Sequence, residues 1–233
     1  MGHNTQPGDV LSYTQMCLDV GVNLQRGMNF RLRNAGSVIL MSVRPGAPYA
    51  DTVESEGKVL IYEGHDAART ANGPSPKELD QPEHNPGGSL TQNGLFADAA
   101  RRYKQGKAPA EPVHVYEKIR PGIWVYNGLF LLSDCWIETQ GSRRVFKFRL
   151  EFTGVEDSNH RAVIEENETR LIPTAVKLEV WHRDRGQCVT CGAASNLHFD
   201  HIIPYSKGGS SKDPANIQIL CGRHNIAKRD RIE

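Results

Sequence analysis

The sequence of 233 residues predicts an α+β protein in two parts, a β-rich N-terminal domain with one or two helices and a short C-terminal domain stapled by metal. Three observations predict it. Strand-like alternation recurs in Val113–Lys118, Trp124–Asp134 and Val145–Phe152, the pattern of half-buried antiparallel pairing. Three of the five cysteines fall in the last 46 residues, which points to metal rather than a disulfide framework. A polar, acidic stretch over 154–171 separates the two groups and reads as a linker with room for a helix. The expected divisions are 1–155, 156–172 and 173–233.

Taken in order, residues 1–20 show no strong period. Phe30 to Val43 reads as strand text interrupted by the turn signal Asn34-Ala35-Gly36. Arg44-Pro45-Gly46-Ala47-Pro48 is a loop, because two prolines block regular pairing. Lys58–Tyr62 is a short strand. Residues 64–94 carry Pro74, Pro76, Pro82 and Pro86 among many Gly, Asn and Asp, and a loop of that length is either functional or disordered. Leu95 to Lys104 places Leu95, Phe96, Ala99 and Tyr103 on one helical face, with Gly106 as its stop. After Pro173, Thr174 is positioned to cap a helix running to about Arg183.

Composition bounds the function classes. At 38% hydrophobic and 24% charged, the chain is globular rather than disordered. The net charge of +1 gives no global signal for nucleic acid, although the stretch from Arg170 onward holds ten Lys/Arg against six Asp/Glu. No run of 18 apolar residues exists, so no membrane helix or membrane partner is expected. The start, Met1 to Gln6, has neither a signal-peptide core nor the myristoylation pattern, so a cytoplasmic location is expected.

Cys188-x-x-Cys191 and Cys221-x-x-His224 are two knuckles whose spacings let both pairs reach one ion. Four such ligands suit a closed tetrahedral structural Zn²⁺ site, a staple that a short domain with few large apolar residues needs. Between them stands Leu197-x-x-Asp200-His201-Ile202-x-Pro204, followed by Gly208-Gly209, Asn216-Ile217-Gln218-x-Leu220-Cys221 and Asn225-x-x-Lys228. As a set, over about residues 174–233, this text resembles the HNH, or ββα-metal, nuclease family. The resemblance implies that His201 is a general base, that Asp200 and Asn225 ligate a catalytic Mg²⁺ or Mn²⁺, and that Asn216 holds the loop bearing His201. Phosphodiester hydrolysis asks for such a base and a hard cation with oxygen ligands. Lys207, Lys228 and Arg229 are candidates for backbone phosphate contacts. Many zinc-bearing members carry Cys where His224 stands. We therefore assign His224 to zinc and Asn225 to the catalytic ion; the opposite assignment leaves zinc one ligand short.

Residues from about 35 to 150 resemble the SRA, or YDG, domain. The text that carries this is Tyr49-Ala50-Asp51, Gly57-x-x-x-x-Tyr62-x-Gly64, Leu90-Thr91-x-Asn93, Pro112-Val113-His114-Val115, and Trp124 to Phe130 with Trp136. The family triplet appears as Tyr126-Asn127-Gly128, with Asn in place of Asp. The resemblance implies a twisted β-barrel with flanking helices that flips modified cytosine out of duplex DNA. Tyr49 and Tyr62 would stack on the base, Asp51 would accept its N4 hydrogen, and a wall near Glu63-Gly64 would receive the methyl group. Without that frame the two tyrosines read as half-buried sheet residues. The loop from Arg69 to Asn85, or the one from Arg44 to Pro48, is a candidate to fill the gap left by the flipped base; a solvated loop without function is the competing reading.

Together the two resemblances imply a modification-dependent restriction endonuclease. It would act on double-stranded DNA containing 5-methylcytosine or 5-hydroxymethylcytosine, and as a homodimer, because one HNH centre cuts one strand and a two-fold protein matches two-fold DNA. The alternatives are a methyl-DNA-binding module with an inert nuclease fold, and an HNH nuclease with no modification requirement.

Overall fold

The computed structural model describes residues 5–153, 171–229 and 231–232. Its elements are β1 (Asp9–Ser12), α1 (Tyr13–Val20), β2 (Met28–Leu32), β3 (Gly36–Met41), β4 (Thr52–Glu54), β5 (Val59–Glu63), α2 (Gln92–Lys104), β6 (Glu111–Arg120), β7 (Ile123–Gln140), β8 (Arg143–Phe152), α3 (Thr174–Arg183), β9 (Leu197–His201), β10 (Ile217–Cys221) and α4 (Gly222–Lys228). The α+β class holds. No described helix is long and apolar enough to cross a membrane.

The chain divides into two compact units. One comprises 1–23, 116–128 and 154–233; the other comprises 24–115 and 129–153. Each unit is discontinuous in sequence, and strand pairing is the reason. β1 pairs with β7 on one side, Val10 opposite Val125, and with β9 on the other, Val10 opposite Leu197. The N-terminal strand therefore belongs with the C-terminal elements. Most of the expected linker lies outside the described residues; Leu171 and Ile172, at its end, are buried, and Ile172 joins the core of this unit.

In that first unit β9 and β10 form an antiparallel pair, Phe199 opposite Ile219, with α4 packed against both. Val10, Val125, Val176, Val180, Leu197, Phe199, Ile217 and Ile219 form one apolar core. The helix at 174–183 is present, but Thr174 is not its cap. The N-cap position is Pro173, and the Thr174 hydroxyl donates to Glu117. Glu117 is buried with Lys177 and Asn127: the ammonium lies 2.7 Å from Glu117 and 2.6 Å from the Asn127 carbonyl, whose amide donates to Glu117 at 3.0 Å.

In the second unit β4, β5, β8 and the distal part of β7 pair antiparallel in that order, and β2 and β3 form a hairpin at the expected Asn34–Gly36 turn. Helix α2 packs on β2 and β8 through Phe96, fully buried against Phe30 and Phe148 at centroid separations of 5.2 and 6.0 Å. The helix begins three residues earlier than its apolar period indicates. Thr91 accepts the Gly94 N–H as cap, and Gly94 is needed because a Cβ there would lie 2.3 Å from the Glu83 carbonyl. The long segment 64–94 is tied down at its far half. Gln81 donates to the Gly64 carbonyl and accepts from Phe146 N–H, while Asp80 binds Arg144.

Candidate functional site

The two cysteine knuckles converge. The donor atoms of Cys188, Cys191, Cys221 and His224 all lie within 4.8 Å of one another. His224 Nδ1 is 3.4 Å from the Cys188 sulfur and 3.3 Å from that of Cys221, and Cys191 and Cys221 are 3.9 Å apart. Ligand–ligand edges of a tetrahedral zinc site with ordinary bond lengths are about 3.5–3.8 Å, so the cluster fits that ion. Burial opposes ionisation of the Cys188 thiol, but N–H groups of Cys221, Thr190 and Cys191 together with His224 outweigh it and bring the thiol down to about 6. His224 thus groups with the cysteines.

The end of β9 builds a second site. Neighbouring strand residues point to opposite faces, yet Asp200 and His201 line one cavity of about 160 Å³ with Tyr205, Ser206, Lys228 and Arg229. The strand stops at His201, and the turn beyond it folds back on Asn216. That side chain accepts from Ile203 N–H at 2.8 Å and donates to the carbonyls of Ile203 and Ser210 at 3.2 and 3.1 Å. Gly209 lies under this turn, where a Cβ would fall 1.8 Å from the Ile203 carbonyl. His201 Nε2 is 2.8 Å from the Ser211 hydroxyl, and its ring meets Tyr205 edge-on at 6.1 Å. Asp200 Oδ2 is 3.0 Å from the Lys228 ammonium and 3.4 Å from Gln218 Nε2.

Lys228 corrects an expectation. It is buried, not presented to a phosphate on the surface, and its ammonium also donates to the His201 carbonyl at 2.6 Å. Lys207 and Arg229 are exposed, and Arg229 borders the cavity. Asn225 sits on α4 one turn before Lys228, half-buried, and is not among the cavity-lining residues. Ser211, Gln218 and Tyr205 were not anticipated. Nothing in the local sequence of Ser211 and Tyr205 distinguishes them, because both reach the site through the fold of the 203–216 turn, whereas Gln218 is brought to Asp200 by the pairing of β9 with β10.

In the second unit Asp51 and Tyr49 flank Ala50 at the entry to β4. Asp51 is 8% exposed, and its two oxygens accept the N–H groups of Ser42 and Glu63, both at 3.0 Å. Burial pushes its carboxyl up to about 6, against the lowering effect of those two N–H groups. Tyr62 is buried, and burial together with Asp51, Tyr49 and Glu63 raises its phenol. The ring that faces Tyr49 is that of His65, at 6.1 Å and 27°. Burial and Arg26 bring His65 down to about 4, so its ring is neutral. Tyr62 and His65 both approach Gly27, where a Cβ would lie 2.6 Å from the phenol oxygen and 3.1 Å from His65 Nε2. Asn93 holds the His65 backbone at both its N–H and C=O.

The wall expected at Glu63-Gly64 is not open. Glu63 is bound by Arg143, Lys147 and Gln140, and a Cβ on Gly64 would meet Asn93, Gln81 and Phe146 within 3 Å. Arg44 donates to the Ser42 hydroxyl, whereas Arg69 is exposed.

The HNH endonuclease family model matches residues 188–231. This segment is an HNH domain. Among solved structures, the chain is similar to the SUVH5 SRA domain with hemimethylated CG DNA (24% identity, 65% of this chain, 90% of that chain, TM-score 0.46). It is also similar to the SUVH5 SRA domain bound to fully hydroxymethylated CG DNA, at 23% identity, 65% and 91% coverage and a TM-score of 0.46. A modification-dependent restriction endonuclease, TagI, aligns over 96% of this chain and 77% of its own, at 19% identity and a TM-score of 0.44. No curated protein matches.

Proposed function

We propose that the chain is a modification-dependent DNA endonuclease. In this reading the SRA-like part, expected over 1–155, captures a flipped 5-methylcytosine or 5-hydroxymethylcytosine, and the HNH part, expected over 173–233, cuts DNA nearby. The observation that carries the nuclease half is the cavity shared by Asp200 and His201, inside a segment that matches the HNH model.

His201 takes the proton of the attacking water, and Ser211 fixes the tilt of its ring. Asp200, with Asn225 brought up from α4, would hold a divalent cation. A carboxylate and an amide oxygen suit a hard ion such as Mg²⁺ or Mn²⁺, and when bound it would steady the charge on the phosphate. Lys228 keeps Asp200 aimed, and Arg229 and Lys207 are placed to meet the backbone. Cys188, Cys191, Cys221 and His224 hold a structural zinc that fixes α4 beside β9 and β10.

In the reader half, Asp51 is a fixed acceptor for the cytosine N4 amine, since two backbone N–H groups lock its carboxylate. Tyr49 offers one stacking face, backed by His65 or Tyr62. Arg69, or Arg44, is placed to enter the gap in the duplex. Double-strand cutting then asks for a homodimer or two successive nicks. The test is cleavage, with Mg²⁺ or Mn²⁺, of methylated, hydroxymethylated and plain copies of one plasmid with product ends mapped. Cutting confined to the modified copies is expected, and equal cutting of all three overturns the modification requirement.

A further inference from the structure

The antiparallel pair of β5 and β8 holds an anomaly. Leu60 faces Leu150 and Tyr62 faces Phe148 on one side of the sheet; on the opposite side, where Ile61 faces Arg149, the buried pair Glu63 and Lys147 is ionic. Their side chains are 2% and 5% exposed and meet at 3.1 Å. A buried ion pair rarely stabilises a fold more than an apolar pair of the same volume. What charges supply instead is fixed, directional hydrogen bonding.

Those bonds go to one place. Glu63 Oε2 accepts the N–H of Ala50 at 3.2 Å, and the Lys147 ammonium donates to the carbonyl of Ala50 at 3.1 Å. Ala50 is the residue between Tyr49 and Asp51. Glu63 also gives its own N–H to Asp51 Oδ1. Its second oxygen binds Arg143 at 3.0 Å, which binds Asp66 at 2.7 Å; Asp66 in turn pairs with Lys77 at 2.9 Å, whose ammonium lies 4.1 Å from the centre of the Tyr49 ring. A closed circuit of charge therefore starts at the Ala50 peptide and returns to the Tyr49 ring.

We propose that Glu63 and Lys147 are positioning residues for the modified-base pocket: their ion pair clamps both polar groups of Ala50 and so sets the aim of Tyr49 and Asp51. This rests on the modified-cytosine reading above. Neither residue touches the base. Each acts through the peptide it holds, and the effect falls on discrimination rather than on general affinity for DNA, which comes from phosphate contacts elsewhere.

The experiment measures binding of the full chain to a duplex with a single 5-methylcytosine and to the same duplex unmodified, by fluorescence anisotropy. Losing a charge-assisted clamp lowers affinity for the modified duplex about tenfold in Lys147→Met, with affinity for the plain duplex unchanged. Lys147→Arg keeps a cation and its donors and restores the preference at least in part. The double variant Glu63→Gln/Lys147→Met leaves no buried unpaired charge and guards against misfolding; it also loses the preference while melting near the wild type. A folded single or double variant that keeps the full preference overturns the positioning role alone. A wild-type chain without any preference for the modified duplex overturns the reader assignment, and the positioning role falls with it.

Discussion

Asp51→Asn should reverse its effect on stability with pH. The Asp51 carboxyl is raised from 3.8 to about 6, chiefly by burial, with the Glu63 carboxylate adding to the rise and Lys147 opposing it. Below pH 3.8 the group is protonated in folded and unfolded chains alike, and its ionisation weighs on neither. As pH rises the unfolded chain ionises first, so the fold loses stability until the folded group has ionised too, above about pH 6. At about 1.4 kcal/mol per pH unit the loss comes to about 3 kcal/mol at pH 7. Asparagine never ionises and escapes it. It has one oxygen for two N–H donors, however, so either Ser42 or Glu63 N–H faces an amide nitrogen, which costs about 1–2 kcal/mol at any pH. The variant is therefore less stable than the wild type at pH 4 by about 0.5–1.5 kcal/mol and more stable at pH 8 by about 1–2 kcal/mol. Urea denaturation at five pH values between 4 and 8 measures this. A stability difference that does not change across that range would refute the argument that Asp51 is a strained, desolvated acceptor. The same variant should lose preference for methylated duplex, so stability is gained where function is lost.

Other outcomes follow from the C-terminal geometry. Purified protein should carry one zinc per chain by atomic emission, and a chelator or Cys221→Ser should lower the melting temperature by more than about 10 °C, because such sites contribute folding energy directly. His201→Ala should cut DNA about 10²–10⁴-fold more slowly while binding it normally, as single-turnover assays would show. Lys228→Met strands the Asp200 carboxylate and the His201 carbonyl; it should destabilise by about 2–4 kcal/mol and slow cutting, and unchanged melting and rate would exclude its holding role. Asn127→Asp should destabilise by about 1–3 kcal/mol at pH 7, read by thermal melting.

The longer strands of the second unit were legible because their residues alternate over a sheet with one apolar face, and the cluster of Cys188, Cys191, Cys221 and His224 because fixed short spacings bring such side chains together. Among the elements not read are the first two, β1 and α1. β1 has four residues, too few for a period, and its partners lie at Val125 and Leu197, far along the chain. α1 did leave a signal, Ser12-x-x-Gln15, a capping box whose two bonds are both made. It is only eight residues long and its apolar side is weak, so periodicity missed what capping chemistry records. The cavity of Asp200 and His201 was half legible. Asp200 and His201 announce themselves by their neighbours, whereas Ser211 reaches His201 only because Asn216 and Gly209 close the turn. Lys228 was misread because a lysine near the end of a basic helix looks solvated; the carboxylate that draws it inward belongs to β9.

Asn127 shows why a departure from a family pattern needs the fold to be interpreted. In sequence it is Asp replaced by Asn, a lost charge in a triplet of structural role. In the structure it stands between Glu117 and Lys177, all three buried. Glu117 accepts from Lys177, Asn127 and Thr174, and although burial opposes its ionisation, these partners hold its carboxyl below the ordinary range. An aspartate at 127 would offer a second carboxylate to one ammonium and no donor to Glu117, so one buried negative charge would lack compensation. The amide serves both neighbours at once, accepting from the lysine and donating to the glutamate. Lys177 comes from α3, fifty residues further along the chain, so the residue that makes Asn127 the right choice belongs to the very segment that leads into the nuclease domain.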